Sequence, residues 1–323
     1  VQSLQPASLR DAEDQAKALV LNFPPLPRCP VLHLDISELV VRDAKSGIQR
    51  VLRSILLEFL QRPPVGWRVE PVYASPHQPG YRYARRFACG LLGVPADWAY
   101  DAPVEVASGD RFLALDLQPQ VLPAQMEVLR QWRAQGVRVQ AVVYDLLPIL
   151  LPQYFVDGAA EGHQRWLATV SELDGIIAIS RAVADEYMHW LKAMGPLQRD
   201  LPISVEYFHL GADIESSLPT AGEFSEGEAL LASMDQRPSL LMCGTLEPRK
   251  GHVAVLDALE LLWKEGRSVQ LVIVGKQGWM VDELVVRLRQ HPERERRLHW
   301  LEYASDEFLM KLYQKAAALV AAS

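Results

Sequence analysis

The segment Met242-Cys243-Gly244-Thr245-Leu246-Glu247-Pro248-Arg249-Lys250-Gly251-His252 combines residue types that can hold an anion. An apolar, strand-like run ends at Gly244, and a basic pair, Arg249 and Lys250, stands directly before a helical pattern. Cations are disfavoured at a helix start, where the exposed N–H groups already carry partial positive charge. The pair becomes favourable once an anion docks there. The N–H groups of Gly251, His252 and Val253 then point at it, Lys250 supplies a point charge and Arg249 a bidentate fork. Gly244 and Gly251 permit close backbone approach. A phosphate or diphosphate is the expected anion. The competing reading is a solvated basic turn with Arg249 paired to Glu247. A second such junction follows Val31-Leu32-His33-Leu34-Asp35, where Gly47 opens a helix and Arg50 stands in its first turn. There the competing reading is an exposed helix charge.

Three carboxylates close strand-like runs: Asp35 in LHLD, Asp116 in LALD and Asp145 in VVYD. Strand ends converge on one edge of a parallel sheet, so these groups can orient hydroxyls of a bound molecule. Asp145 is the strongest of the three, because the DLLP loop follows it. Capping of the next loop or helix is the ordinary alternative for aspartate. The three could also gather a divalent cation. No D-x-D pair stands at these positions, and no metal is expected. The eight histidines form no ligand pair, although His209 and His252 fall at places where either could donate to a phosphate.

The surrounding pattern must place these groups. Strand-like runs at 31–37, 67–75, 111–117, 139–145, 175–180 and 203–210 alternate with helical stretches at 47–60, 82–93, 121–135, 161–173 and 181–194. Residues 211–238 form an acidic, Gly- and Pro-containing connection with a short helix. A second series follows, with strands at 239–245, 269–275, 298–303 and 317–322 and helices at 251–266, 281–291 and 306–316. This alternation predicts βαβ units and parallel sheets. The reading is α/β: two doubly wound, Rossmann-like domains facing a cleft, with ligands at the C-terminal strand ends.

Bulk properties agree. A chain of 323 residues exceeds one typical core. A net charge of −7 argues against nucleic-acid binding. Cys29, Cys89 and Cys243 have neither zinc-like nor disulfide-like spacing and suggest a reducing compartment. No apolar run has the length of a membrane span, and no secretory signal is visible. The basic run at 293–300 reads as a solvated helix end that could touch anionic lipid.

GTLEPRKGH before a helix, LVIVGKQGW, LEYASDEFLMKLY and GIQRVLRSIL together resemble the retaining GT-B glycosyltransferases of family 4. Bacterial mannosyl- and rhamnosyltransferases of lipopolysaccharide O-chain and related polysaccharide synthesis share this pattern, and VVYDLLPILLPQYF and IIAISRAVADEY resemble their acceptor domain. The resemblance implies a helical lead-in at 1–30, an acceptor-side domain at 31–212, a linker at 213–238 and a nucleotide-sugar-binding domain at 239–323. It implies transfer of a hexose, mannose or rhamnose, from a nucleotide-diphosphate sugar to a glycan or lipid-linked acceptor with retention. The favoured donor is a GDP-sugar, with UDP- or dTDP-sugars as alternatives and no obligatory cofactor. Lys250 and Arg249 then hold the diphosphate. Gly275, Lys276 and Trp279 lie beside the nucleotide, Tyr303 borders the base, and Gly47 and Arg50 approach the phosphates from the other side. Thr245 follows Gly244 where many members have arginine. The family continues past a strand like ALVAAS into an acidic, glycine-rich stretch. The second domain is therefore expected to be incomplete, with the full protein continuing beyond Ser323. The resemblance also implies a cytoplasmic protein with contact at the inner membrane face or with other synthase subunits. Two other readings stand beside this one: a nucleotide-sugar epimerase, and an inactive GT-B domain that scaffolds a larger synthase by binding nucleotide or glycan.

Overall fold

The computed structural model describes residues 8, 12–17, 28–42, 47–195, 202–211, 222 and 227–323. Pro24, Pro25 and Pro27 of the 1–30 lead-in, the residues just before Gly47, and Glu215, Glu223 and Glu226 of the acidic connection lie outside these. Of the helical lead-in, α1 is described over 12–17.

The first sheet has seven strands in the order β3-β2-β1-β4-β5-β6-β7. They are β1 (Val31–Asp35), β2 (Arg68–Ser75), β3 (Gln78–Tyr83), β4 (Arg111–Ala114), β5 (Arg138–Val143), β6 (Gly175–Ala178) and β7 (Ser204–Tyr207). All pairs are parallel except β2 with β3. Helices α2 (Ser37–Val41), α3 (Gly47–Gln61), α4 (Arg85–Leu91), α5 (Val121–Ala124), α6 (Met126–Ala134), α7 (Leu147–Leu150), α8 (Ala159–Ser171) and α9 (Arg181–Ala193) flank it. Strands covered on both faces read as continuous apolar runs; in β5 every residue but the first is buried. Leu52 and Leu56 of α3 pack on one face with Leu34, Leu115 and Tyr144. Trp132, Trp166 and Tyr187 pack on the other with Phe112 and Val139.

The second sheet has four parallel strands in the order β10-β9-β8-β11: β8 (Ser239–Cys243), β9 (Gln270–Val274), β10 (Leu298–Leu301) and β11 (Ala318–Leu319). Its helices are α10 (Gly227–Gln236), α11 (His252–Lys264), α12 (Asp282–Gln290) and α13 (Asp306–Lys315). The acidic connection's helix, α10, packs on this sheet: Leu230 and Met234 meet Leu241, Val272 and Leu312.

Two local expectations change. The stretch 82–93 is not one helix. Residues 78–83 form the antiparallel edge strand β3, and only Arg85–Leu91 is helical. The first sheet thus has seven strands rather than six. Pro79 and Gly80 mask the strand signal, while Tyr81 and Tyr83 are buried by it. The DLLPILLPQYF stretch is also not plain loop. It folds into α7 and a 3₁₀ turn over Pro152–Tyr154, and neither buries a residue.

Candidate active site

The anion-site segment leaves β8 at Cys243 and bends at once. Gly244 has φ 126°, and its N–H donates to the Val274 carbonyl at 2.8 Å. Leu246, fully buried, donates to the Lys276 carbonyl at 2.9 Å. Pro248–Lys250 form a 3₁₀ turn, Gly251 is left-handed with φ 68°, and α11 begins at His252. The two cations separate here. Arg249 lies 2.9 Å from the carboxylate of buried Glu247. Lys250 turns back over the bend, and its ammonium rests against the α-carbon of Gly244, where a β-carbon would collide with it. Among the described residues Lys250 forms no ion pair. The two earlier readings are therefore divided between neighbours: Arg249 is the paired turn residue, and Lys250 is the uncompensated charge at a helix start. Burial and the Lys250 charge lower the pKa of His252 to about 4, so this histidine is neutral near pH 7.

The glycines do more for the protein than for a ligand. The Gly251 N–H is turned to the Pro248 carbonyl at 3.4 Å rather than outward. A β-carbon on Gly251 would meet the Ala322 carbonyl at 2.8 Å. At Gly275 (φ 159°) it would strike the Gly244 carbonyl, and at Gly278 the Thr245 methyl at 2.9 Å. Two loops, 244–247 and 275–278, thus stack backbone to backbone beneath Lys250. Thr245 and Lys276 are half-buried in this stack. Tyr303, just past β10, is 75% exposed. Gly47 has open space around its α-carbon.

In the first domain the three aspartates part company. Asp35 is fully buried, and its Oδ1 accepts from the Ser37 N–H (3.0 Å) and hydroxyl (2.6 Å). Asp116, also buried, accepts the Leu39 N–H at 2.8 Å and ties α2 to β4. Burial raises their pKa values to about 6 and about 7. Both are capping groups in the interior. Asp145, just past the C-terminal end of β5, is half-buried. Its Oδ1 accepts the Leu147 N–H at 3.1 Å, and its carbonyl takes the His163 ring N–H at 3.0 Å. Burial and the charge of Asp145 raise the pKa of Glu186, which stands beside it on α9. Sequence reasoning missed Glu186; nothing in RAVADEY separates it from an exposed helix carboxylate, and only the β5–β6 pairing brings it near Asp145. His209 is exposed, ring to ring with Tyr207. Among the described residues no three His, Cys, Asp or Glu gather as a metal site.

The two halves touch across the cleft. Arg50 reaches over to Asp306 at the start of α13, so its guanidinium is ion-paired rather than free for a phosphate. Trp279 also faces the opposite domain. Its indole N–H donates to the Tyr154 carbonyl at 2.9 Å, and its ring lies 5.8 Å from that of Phe155.

Comparison with known proteins gives the chain's relatives. Residues 229–323 match the family described as glycosyl transferases group 1. The chain is 41% identical over 300 residues to the Escherichia coli serotype-specific mannosyltransferase WbdA, covering 90% of this chain and 35% of that protein. It thus spans about a third of the length of that relative. A shorter stretch of 81 residues is 37% identical to the Escherichia coli O-antigen chain mannosyltransferase B, covering 25% of this chain and 21% of the other. Among solved structures, Anabaena HepE in complex with UDP-glucose superposes with a TM-score of 0.55 at 17% identity, over 90% of this chain and 73% of the other. An Escherichia coli trehalose-6-phosphate structure bound with UDP-2-fluoro glucose gives 0.53 at 12%, over 90% and 77%. These likenesses establish the two-sheet GT-B fold. No helix among the described residues is long and apolar enough to cross a membrane.

Proposed function

Because residues 229–323 match the glycosyl transferases group 1 family, we propose that the chain transfers mannose from a nucleotide-diphosphate sugar to a glycan or lipid-linked acceptor. The observation that carries this is Lys250: an unpaired ammonium, seated on Gly244, at the N-terminus of a 13-residue helix in that domain. As the glycosidic bond breaks, the leaving diphosphate gains charge. A fixed cation and a helix N-terminus stabilise that charge more in the transition state than in the bound donor. No metal is required in this reading. Thr245 and Lys276 flank the nucleotide, and Tyr303 borders the base. Asp145, with Glu186 beside it, faces the acceptor and orients its hydroxyl. The departing phosphate takes the hydroxyl proton, which accords with retention.

The relatives named for mannosyl transfer support the sugar, and the UDP-bound neighbours support a nucleotide-sugar donor. The donor base is read as guanine. Thermal shift against GDP, UDP, dTDP and ADP, followed by transfer from the matching nucleotide-mannose, tests the proposal. A ligand that binds only the folded state raises its midpoint by mass action. No shift with any of the four would overturn it; a shift with UDP alone would correct the base.

A further inference from the structure

We infer that Trp279 is a positioning residue: it carries the state of the anion-site loop to the segment that follows Asp145, and so sets how well an acceptor is held. This inference rests on the function proposed above.

The segment 147–155 is weakly anchored in its own domain, where Ile149 is partly buried against the core. Its two turns, Leu147–Leu150 and Pro152–Tyr154, contain no buried residue. Their backbone bonds are local, such as Tyr154 N–H to Leu151 at 3.1 Å and Phe155 N–H to Pro152 at 3.1 Å. At its near end the Leu147 N–H is held by Asp145 at 3.1 Å. Near its far end, Tyr154 and Phe155 meet Trp279 of the other domain. A segment held in its own domain by one partly buried side chain, Ile149, takes the position of its far end from such contacts.

Trp279 is itself tightly placed. One residue before it, the Gly278 N–H donates to the Leu246 carbonyl at 3.1 Å, which locks the loop to the one bearing Lys250. One residue after it, Met280 has φ 54°. A left-handed, non-glycine residue persists only where its surroundings over-determine it. Beyond Met280, Val281 is buried, and the Gln277 amide holds Asp282 at 2.8 Å. The indole is thus aimed across the cleft from a rigid base. One contiguous path runs from Lys250 and Gly244, through the stacked loops and Trp279, to Tyr154, Phe155 and Asp145. The acceptor segment is complete only when the donor domain lies against it.

The test uses the full-length protein and the variants Trp279→Ala, Trp279→Phe and Phe155→Leu. Hydrogen exchange of 147–155 is read first, because it needs no activity. Exchange there should speed up about fivefold in Trp279→Ala while strand 270–274 is unchanged. With nucleotide-mannose as donor and a mannose-terminated oligosaccharide as acceptor, acceptor KM should rise about fivefold and donor Kd stay within about twofold. Phe155→Leu should repeat the pattern from the other side, and Trp279→Phe, which keeps a ring but loses the N–H, should fall between. Unchanged exchange at 147–155 overturns the inference. So does a fall in donor affinity with acceptor KM unaltered, which would put Trp279 against the nucleotide. Absence of transfer by the wild type would overturn the proposed reaction, leaving the exchange result to decide the role of Trp279.

Discussion

The ammonium of Lys250 lies against the α-carbon of Gly244, two residues six apart in the chain that meet because the backbone folds back between them. Gly244 therefore has two duties: it adopts φ 126°, and it leaves room for a charge.

Gly244→Ala should fail at both. The left-handed backbone is strained for alanine, at a cost of about 1–2 kcal/mol, and the new methyl must displace the ammonium. The expected result is a folded protein with a lower melting midpoint and nucleotide-diphosphate affinity reduced about tenfold. Wild-type affinity in the alanine variant would show that Lys250 need not sit where it is seen.

Lys250→Ala and Arg249→Ala should differ in kind. Lys250 is half-exposed and unpaired among the described residues, so its removal should leave the midpoint unchanged and weaken nucleotide binding by about 1.5–3 kcal/mol. Arg249 neutralises buried Glu247. Its removal leaves that carboxylate without its cation and should destabilise the fold by about 1–3 kcal/mol. Paired calorimetric unfolding and nucleotide titration separate the two. Equal loss of binding and equal midpoints would mean that both cations touch the ligand.

How much of this was legible follows from where the information lies. The βα alternation could be read because parallel strands are buried on both faces, so Leu271–Val274 of β9 form an unbroken apolar run. The basic pair was conspicuous because helix starts disfavour cations. Which of the two was free could not be read: it depends on Glu247 being buried beside Arg249 rather than beside Lys250. Strand β3 was hidden because an edge strand tolerates Pro79 and Gly80. The partners Arg50 and Asp306 stand 256 residues apart, and Trp279 and Tyr154 stand 125 apart. No local spacing signals either. Asp35 and Asp116 shared the strand-end position of Asp145, and only burial distinguishes interior caps from a half-buried carboxylate.

Those two interior carboxylates predict a pH dependence. Folding raises Asp116 from 3.8 to about 7 and Asp35 from 3.8 to about 6, through burial. Between those limits the folded protein binds more protons than the unfolded chain. The stability they contribute is present at low pH and is lost as pH rises through the folded values. Buried His33, His163 and His252 have lowered pKa values and act in the opposite sense, so the comparison is made between variants. Asp116→Asn should gain about 2–3 kcal/mol over the wild type on going from pH 5 to pH 8. Denaturant unfolding at both values measures it, and a pH-independent difference would contradict the shift.

The pairing of Arg50 with Asp306 makes a prediction of the opposite sign from most substitutions. Arg50 is 45% exposed and Asp306 12%, so the ion pair itself contributes only about 0–1 kcal/mol, less at high salt. A diphosphate carries more charge than one carboxylate and would draw the guanidinium to itself. If Arg50 serves the donor in this way, Asp306 competes with the diphosphate for it. Asp306→Asn should therefore tighten nucleotide-diphosphate binding, by about two- to fivefold, and Arg50→Ala should weaken it by a similar factor. The double variant should match Arg50→Ala alone, because the asparagine has nothing left to release. Titration calorimetry on the four proteins at low and high salt completes the cycle. Strictly additive effects in the double variant would show that the two residues act separately, and that Arg50 serves only to hold the domains together.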